Sequence, residues 1–206
     1  MEGLEGDPVS DAPLLAQLLG AFHAEQVNVD DLPAGDPTAR LGKECADLFT
    51  NAVATLRAVV PNERIQKLAT VLWDLVGNKY VLIALGPKVP GLVFSVMRVK
   101  GVMQGIVFIP ENWPEMSRTD TFMQLGAVLF TGAQIVDYYN DRLLEPAAKA
   151  RWGAYEAELL LLLRQLLPTW KPNEYQLEAM KRFPAGLNTK DVEVYTSKPY
   201  ERRVPS

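Results

Sequence analysis

Acidic and phenolic side chains crowd one stretch of this chain. Asp137, Tyr138, Tyr139, Asn140, Asp141 and Arg142 come directly after a long apolar run. Such a group suits a cleft mouth, where carboxylates and phenols move protons. It also suits a helix end that emerges into solvent, its tyrosines reaching for water. Glu156 and Glu158, with Lys149 and Arg151 close by, read as paired carboxylates for acid–base work or as the solvated face of an amphipathic helix. Thr131 and Gln134 stand a turn or two earlier, near Gly126 and Gly132. A glycine inside a helix costs about 1 kcal/mol relative to alanine, so these two imply close approach of another element or room for a ligand. Thr131, Gln134, Asp137, Tyr138 and Glu156 are thus the candidate ligand-binding residues. A second set, Trp170, Tyr175, Tyr195 and Tyr200, offers aromatic anchors for a partner, since aromatic rings bury large area with few rotatable bonds. The other reading of these aromatics is a tail that wraps its own domain.

The residues best suited to nucleophilic or metal chemistry are scarce. The chain has one histidine, His23, and one cysteine, Cys45. His23 falls on a predicted helix beside Phe22. Cys45 lies in an apolar stripe and reads as a small core hydrophobe. Residues 86–91 hold two glycines and a lysine but lack the Gly-Lys-Ser/Thr ending of a phosphate-binding loop. No catalytic residue, metal ligand or cofactor is assigned from the sequence.

The elements that would carry these side chains follow from apolar spacing. Residues 1–11 are acidic, hold Gly and Pro, and are expected to be disordered. Apolar residues at helical spacing predict helices over 13–25, 39–60 and 63–76, with 27–38 as a linker and Gly77-Asn78 as a helix stop. The stripe of the second helix comprises Leu41, Cys45, Leu48, Phe49, Ala52, Val53, Leu56 and Val60. The period then shortens. Residues 79–85, 92–99 and 102–109 read as strands, the last two joined by Lys100-Gly101 as a hairpin. A proline-containing loop, 110–114, leads to a nearly all-round apolar helix over 119–142, with Ser117 and Asp120 as a capping pattern. Helices over 146–167 and 173–183 complete the reading. The five leucines of 159–163 face several neighbours or leave a patch for a partner. The fold class is α+β: a small antiparallel sheet at about 79–109 packed on four to six helices, with 119–142 as the central buried one. Residues 12–183 form one domain and 184–206 an extended tail.

The strand, loop and helix over 102–142 resemble the core of a zincin metallopeptidase. The likeness covers about 80 residues from Lys79 to Leu160, through phrases such as Ile106-Val107-Phe108-Ile109-Pro110 and Ala133-Gln134-Ile135-Val136-Asp137-Tyr138. In that family an edge strand precedes a helix with two histidines one turn apart and a glutamate beside the first. Thr131, Gly132 and Ile135 stand at those three positions, and they make neither a zinc site nor a base. The resemblance therefore implies a zincin-like domain without its metal site. The other reading is an ordinary buried helix after an ordinary strand.

Composition narrows the classes further. A net charge of −4 and a pI near 5.2 give no basic footprint for nucleic acid. The acidic start argues against a secretory leader, and the longest apolar stretch, 121–136, is short for a membrane span. A single cysteine suits a reducing compartment, and the cytoplasm is expected. Three functions are carried forward. The first is a non-catalytic interaction or structural protein, a pseudoenzyme of zincin-like order serving as adaptor, inhibitor or immunity protein, with another protein as partner and self-association open. The second is an enzyme using carboxylates and tyrosines in a cleft by the end of the central helix. The third is a binder of a small apolar ligand. The balance leans away from an enzyme.

Overall fold

The computed structural model describes residues 37–86, 89–99 and 101–182. The predicted segments 1–11 and 13–25, His23, Tyr195, Tyr200 and the tail from 184 lie outside the described residues. The described residues begin with two helices that pack on each other, α1 (Pro37–Ala58) and α2 (Glu63–Gly77). The predicted stripe of α1 points inward: Cys45, Leu48, Phe49, Ala52, Val53, Leu56 and the following Val60 are all buried. Asn62 starts α2 by accepting the Ile65 N–H at 3.0 Å. Asn78 ends it at the predicted stop, and the left-handed residue that follows is Lys79, at φ 60°.

Three strands come next: β1 (Val81–Leu85), β2 (Val93–Val99) and β3 (Val102–Ile109). The predicted hairpin between β2 and β3 is present. Val99 pairs with Val102, and Gly101 takes φ 79°, which a glycine adopts without steric cost. The sheet is mixed, where the sequence reading expected an antiparallel one. The order is β1-β3-β2, and β1 runs parallel to β3, from Val81 opposite Gly105 to Leu85 opposite Ile109. Parallel strands need a crossover. Here β2 itself belongs to the crossover: the chain passes to the far edge before the hairpin returns it to the middle. The Gly86 N–H extends the parallel ladder to the Ile109 carbonyl at 2.9 Å. A side chain at Gly86 would meet Phe108 Cβ and Val89 Cγ2 at 3.0 Å, so the strand exit requires glycine.

The predicted helix over 119–142 is present at Thr121–Tyr139, and a short helix that the sequence reading did not expect precedes it. A short α3 (Trp113–Thr119) carries Pro114 in its first turn, where a missing N–H is harmless. Asp120, at φ −142°, breaks the backbone, and its side chain caps nothing. Ser117 lies inside α3, and Thr121 Oγ1 donates to its carbonyl at 2.8 Å, so the predicted capping pattern is replaced by this bond. The main helix, α4 (Thr121–Tyr139), is central as expected, with twelve of its residues buried. Then come α5 (Ala148–Leu166) and α6 (Glu174–Arg182). One apolar core joins α1, α2, the sheet, α4 and α5. The leucine run of α5 is divided: Leu159 and Leu163 enter that core, while Leu160 meets Ala179 and Met180 of α6.

Candidate functional site

Helix α4 presents three polar or permissive faces, and each has a different fate. The face expected to carry metal chemistry is packed. Thr131 is 3% exposed and Ile135 fully buried, and a Cβ on Gly132 would lie 2.7 Å from Leu72 Cδ2 of α2. Gly132 is therefore a helix-contact glycine. The preceding strand, β3, is the middle strand of the sheet, where the zincin comparison implied an edge. Among the described residues no group of three or more His, Cys, Asp or Glu is placed to hold a metal ion.

The C-terminal end of α4 is tied down by specific partners among the described residues. Asp137 is fully buried. Its Oδ2 accepts from Arg151 Nη2 at 2.7 Å and from Trp152 Nε1 at 2.6 Å, both on α5. Arg151 continues to Glu145 at 3.2 Å, and Glu145 also takes Arg142 Nε at 3.1 Å. Tyr138 stacks edge-on against Phe94 of β2, with ring centroids 5.8 Å apart. The Tyr139 hydroxyl donates to the Tyr80 carbonyl and receives the Gly105 N–H at 3.4 Å. These groups tie α4 to α5 and to the sheet.

The remaining face opens to solvent. Gly126 and Phe130 are one turn apart on α4, as Lys149 and Glu156 are two turns apart on α5. Tyr175, Glu178 and Ala179 share a face of α6. Phe130, Lys149, Glu156, Tyr175, Glu178 and Ala179, with Pro146 and Ala150, line a groove of about 530 Å³ among the described residues. Local sequence sets Tyr175 in place. Asn173 and Gln176 form a reciprocal capping box, the Gln176 N–H on Asn173 Oδ1 and the Asn173 N–H on Gln176 Oε1, both at 2.8 Å. That box starts α6 and turns its second residue, Tyr175, over the groove.

Glu156 lies at the base of the groove, 5% exposed. Gly126 lies against it: a Cβ there would sit in ordinary contact with Glu156 Cγ at 3.4 Å and Oε1 at 3.7 Å. Burial raises the Glu156 pKa, and a hydrogen bond from the Tyr175 hydroxyl offsets part of the rise. The Tyr175 pKa is also raised, by burial first and then by the neighbouring carboxylate. No Lys or Arg among the described residues forms an ion pair with Glu156. Its neighbour Glu158 points elsewhere, accepting from Asn62 Nδ2 at 3.0 Å with Arg64 Nε at 3.6 Å.

The ligand candidates named from sequence thus do not converge. Glu156 is in the groove, Asp137 in the buried ion pair, Tyr138 against the sheet and Thr131 in the core. Gln134 is half-buried one turn beyond Phe130 and does not line the groove. Of the partner candidates, Tyr175 is 55% exposed in the groove, and Trp170 packs on Phe122 with centroids 5.6 Å apart. Sequence reading missed Phe130 and Glu178. The spacing of Phe130 from Gly126 and the Asn173-x-x-Gln176 box are signals that could have found this face. No protein-family model matches the chain, and no curated protein or solved structure matches it.

Proposed function

We propose that this is a non-catalytic interaction protein that seats another protein in the groove between α4, α5 and α6. One observation carries the reading. Among the described residues three large apolar side chains are exposed, and one of them, Tyr175, lines this groove; a second, Leu144, 95% exposed, precedes the groove residue Pro146 by two positions in the chain. A half-exposed tyrosine over a buried carboxyl in an open groove suits an interface whose polar groups set register. The reading rests on this groove and not on the zincin-like order of elements, which would make the chain a pseudoenzyme. It places the protein in the cytoplasm, which its single cysteine suits. Among the described residues no helix is long and apolar enough to cross a membrane.

The test is site-specific photo-crosslinking in the native cell. A photoreactive residue at Tyr175 should capture one discrete protein, and the same residue at the exposed Glu111 should not. Capture of a second copy of this chain from Tyr175 would make the groove a self-association surface. Equal, diffuse labelling from both positions would contradict the proposal.

A further inference from the structure

The interaction reading leaves open what chemistry the groove recognises, and the inference here rests on that reading. We infer that the groove takes a guanidinium group, an arginine side chain of the partner protein, which ion-pairs with Glu156 in the groove that Phe130 and Tyr175 also line.

Three features point to this group. The first is charge. Among the described residues that line the groove, Glu156 and Glu178 carry negative charge from two helices, against Lys149 on the other sign. Glu156 is nine-tenths buried and has the Tyr175 hydroxyl as its polar partner, without a cation among the described residues. A buried carboxylate held without a counter-charge is costly, and an incoming cation removes that cost. The second is shape. A carboxylate accepts a planar guanidinium through two parallel hydrogen bonds, and aromatic faces stack on the same plane. Phe130 and Tyr175 line the same groove as the carboxyl and supply aromatic rings there. An ammonium would use the charge but not the plane. The third is size. A groove of about 530 Å³ holds an arginine side chain and the backbone that carries it. Lys149, exposed at the mouth, disfavours a run of basic residues, so the arginine is expected to stand among neutral or acidic neighbours.

The test compares N-acetyl-arginine amide with its neutral isostere N-acetyl-citrulline amide, titrated into the full chain and followed by amide NMR shifts. The arginine compound should bind about tenfold more tightly at pH 8, with shifts centred on Gly126, Phe130, Glu156 and Tyr175. That preference should vanish in Glu156→Gln and shrink as Glu156 takes up its proton at low pH. Equal binding of the two compounds overturns the inference, as does an arginine preference that survives in Glu156→Gln. The two proposals fail separately. A protein captured from Tyr175 without arginine preference leaves the interaction reading standing and removes the anchor. Arginine preference without any captured protein keeps the anchor chemistry and removes the interaction reading.

Discussion

Two of the buried carboxyl groups, Asp137 on α4 and Glu156 on α5, are treated by the protein in opposite ways. Asp137 meets a guanidinium and an indole N–H inside the molecule, at 2.7 and 2.6 Å. Glu156 meets one phenol and an open groove. The Asp137 arrangement is a fastener. Its charge is answered by residues that also hold α4 to α5 and to the turn between them. Glu156 contributes no such fastening, and a helix glycine, Gly126, lies against it. A buried charge matched internally explains itself through stability. One left unmatched beside a solvent-filled groove points outward, to a ligand.

The largest expected effect separates the two sites directly. Arg151→Met strands the Asp137 carboxylate and should cost about 3–5 kcal/mol in denaturant melts. A loss under about 1 kcal/mol would mean that the pair is not the fastener described. The glycines of α4 come next. Gly132→Ala drives a methyl against Leu72 and should destabilise by about 1–3 kcal/mol. Gly126→Ala places its methyl in ordinary contact with Glu156, and the gain in helix propensity, about 1 kcal/mol, should leave it at or above wild-type stability. Equal destabilisation by both would erase the distinction between the packed face and the open one.

The smallest effect has the most specific signature. Burial raises the Glu156 pKa above its ordinary value of 4.5, so the folded state keeps a proton that the unfolded chain has released. The contribution of Glu156 to stability is therefore fullest below about pH 4.5 and is lost as pH rises through the folded-state value. Glu156→Gln should remove this decline and melt slightly above wild type at pH 7. A variant less stable than wild type at pH 7 would show that the carboxylate is held by a favourable partner after all.

Much of the fold was legible because apolar spacing specifies a helix face without help from distant residues. The α1 stripe and the hairpin between β2 and β3 are of that kind. The direction of β1 was not, since which edge of the hairpin a strand joins depends on where the 86–92 connection carries the chain. Asp137 read as the start of a solvated helix end because its partner, Arg151, lies 14 residues on, across a turn. Glu156 and Glu158 read as a pair, yet two residues on a helix differ by about 200°, so one faces the groove and the other the start of α2. Gly126 and Gly132 were legible as contact glycines, but only the structure shows that one receives a leucine and the other a carboxyl.

The measurement that bears most directly on the unmatched carboxyl is a side-chain carboxyl carbon NMR titration of the free protein. The Glu156 signal is assigned by its absence in Glu156→Gln. The account predicts a midpoint above those of the exposed glutamates and above 4.5. A midpoint at or below 4.5 would mean that Glu156 already has its counter-charge within the molecule, and the groove would lose its claim to a cationic ligand.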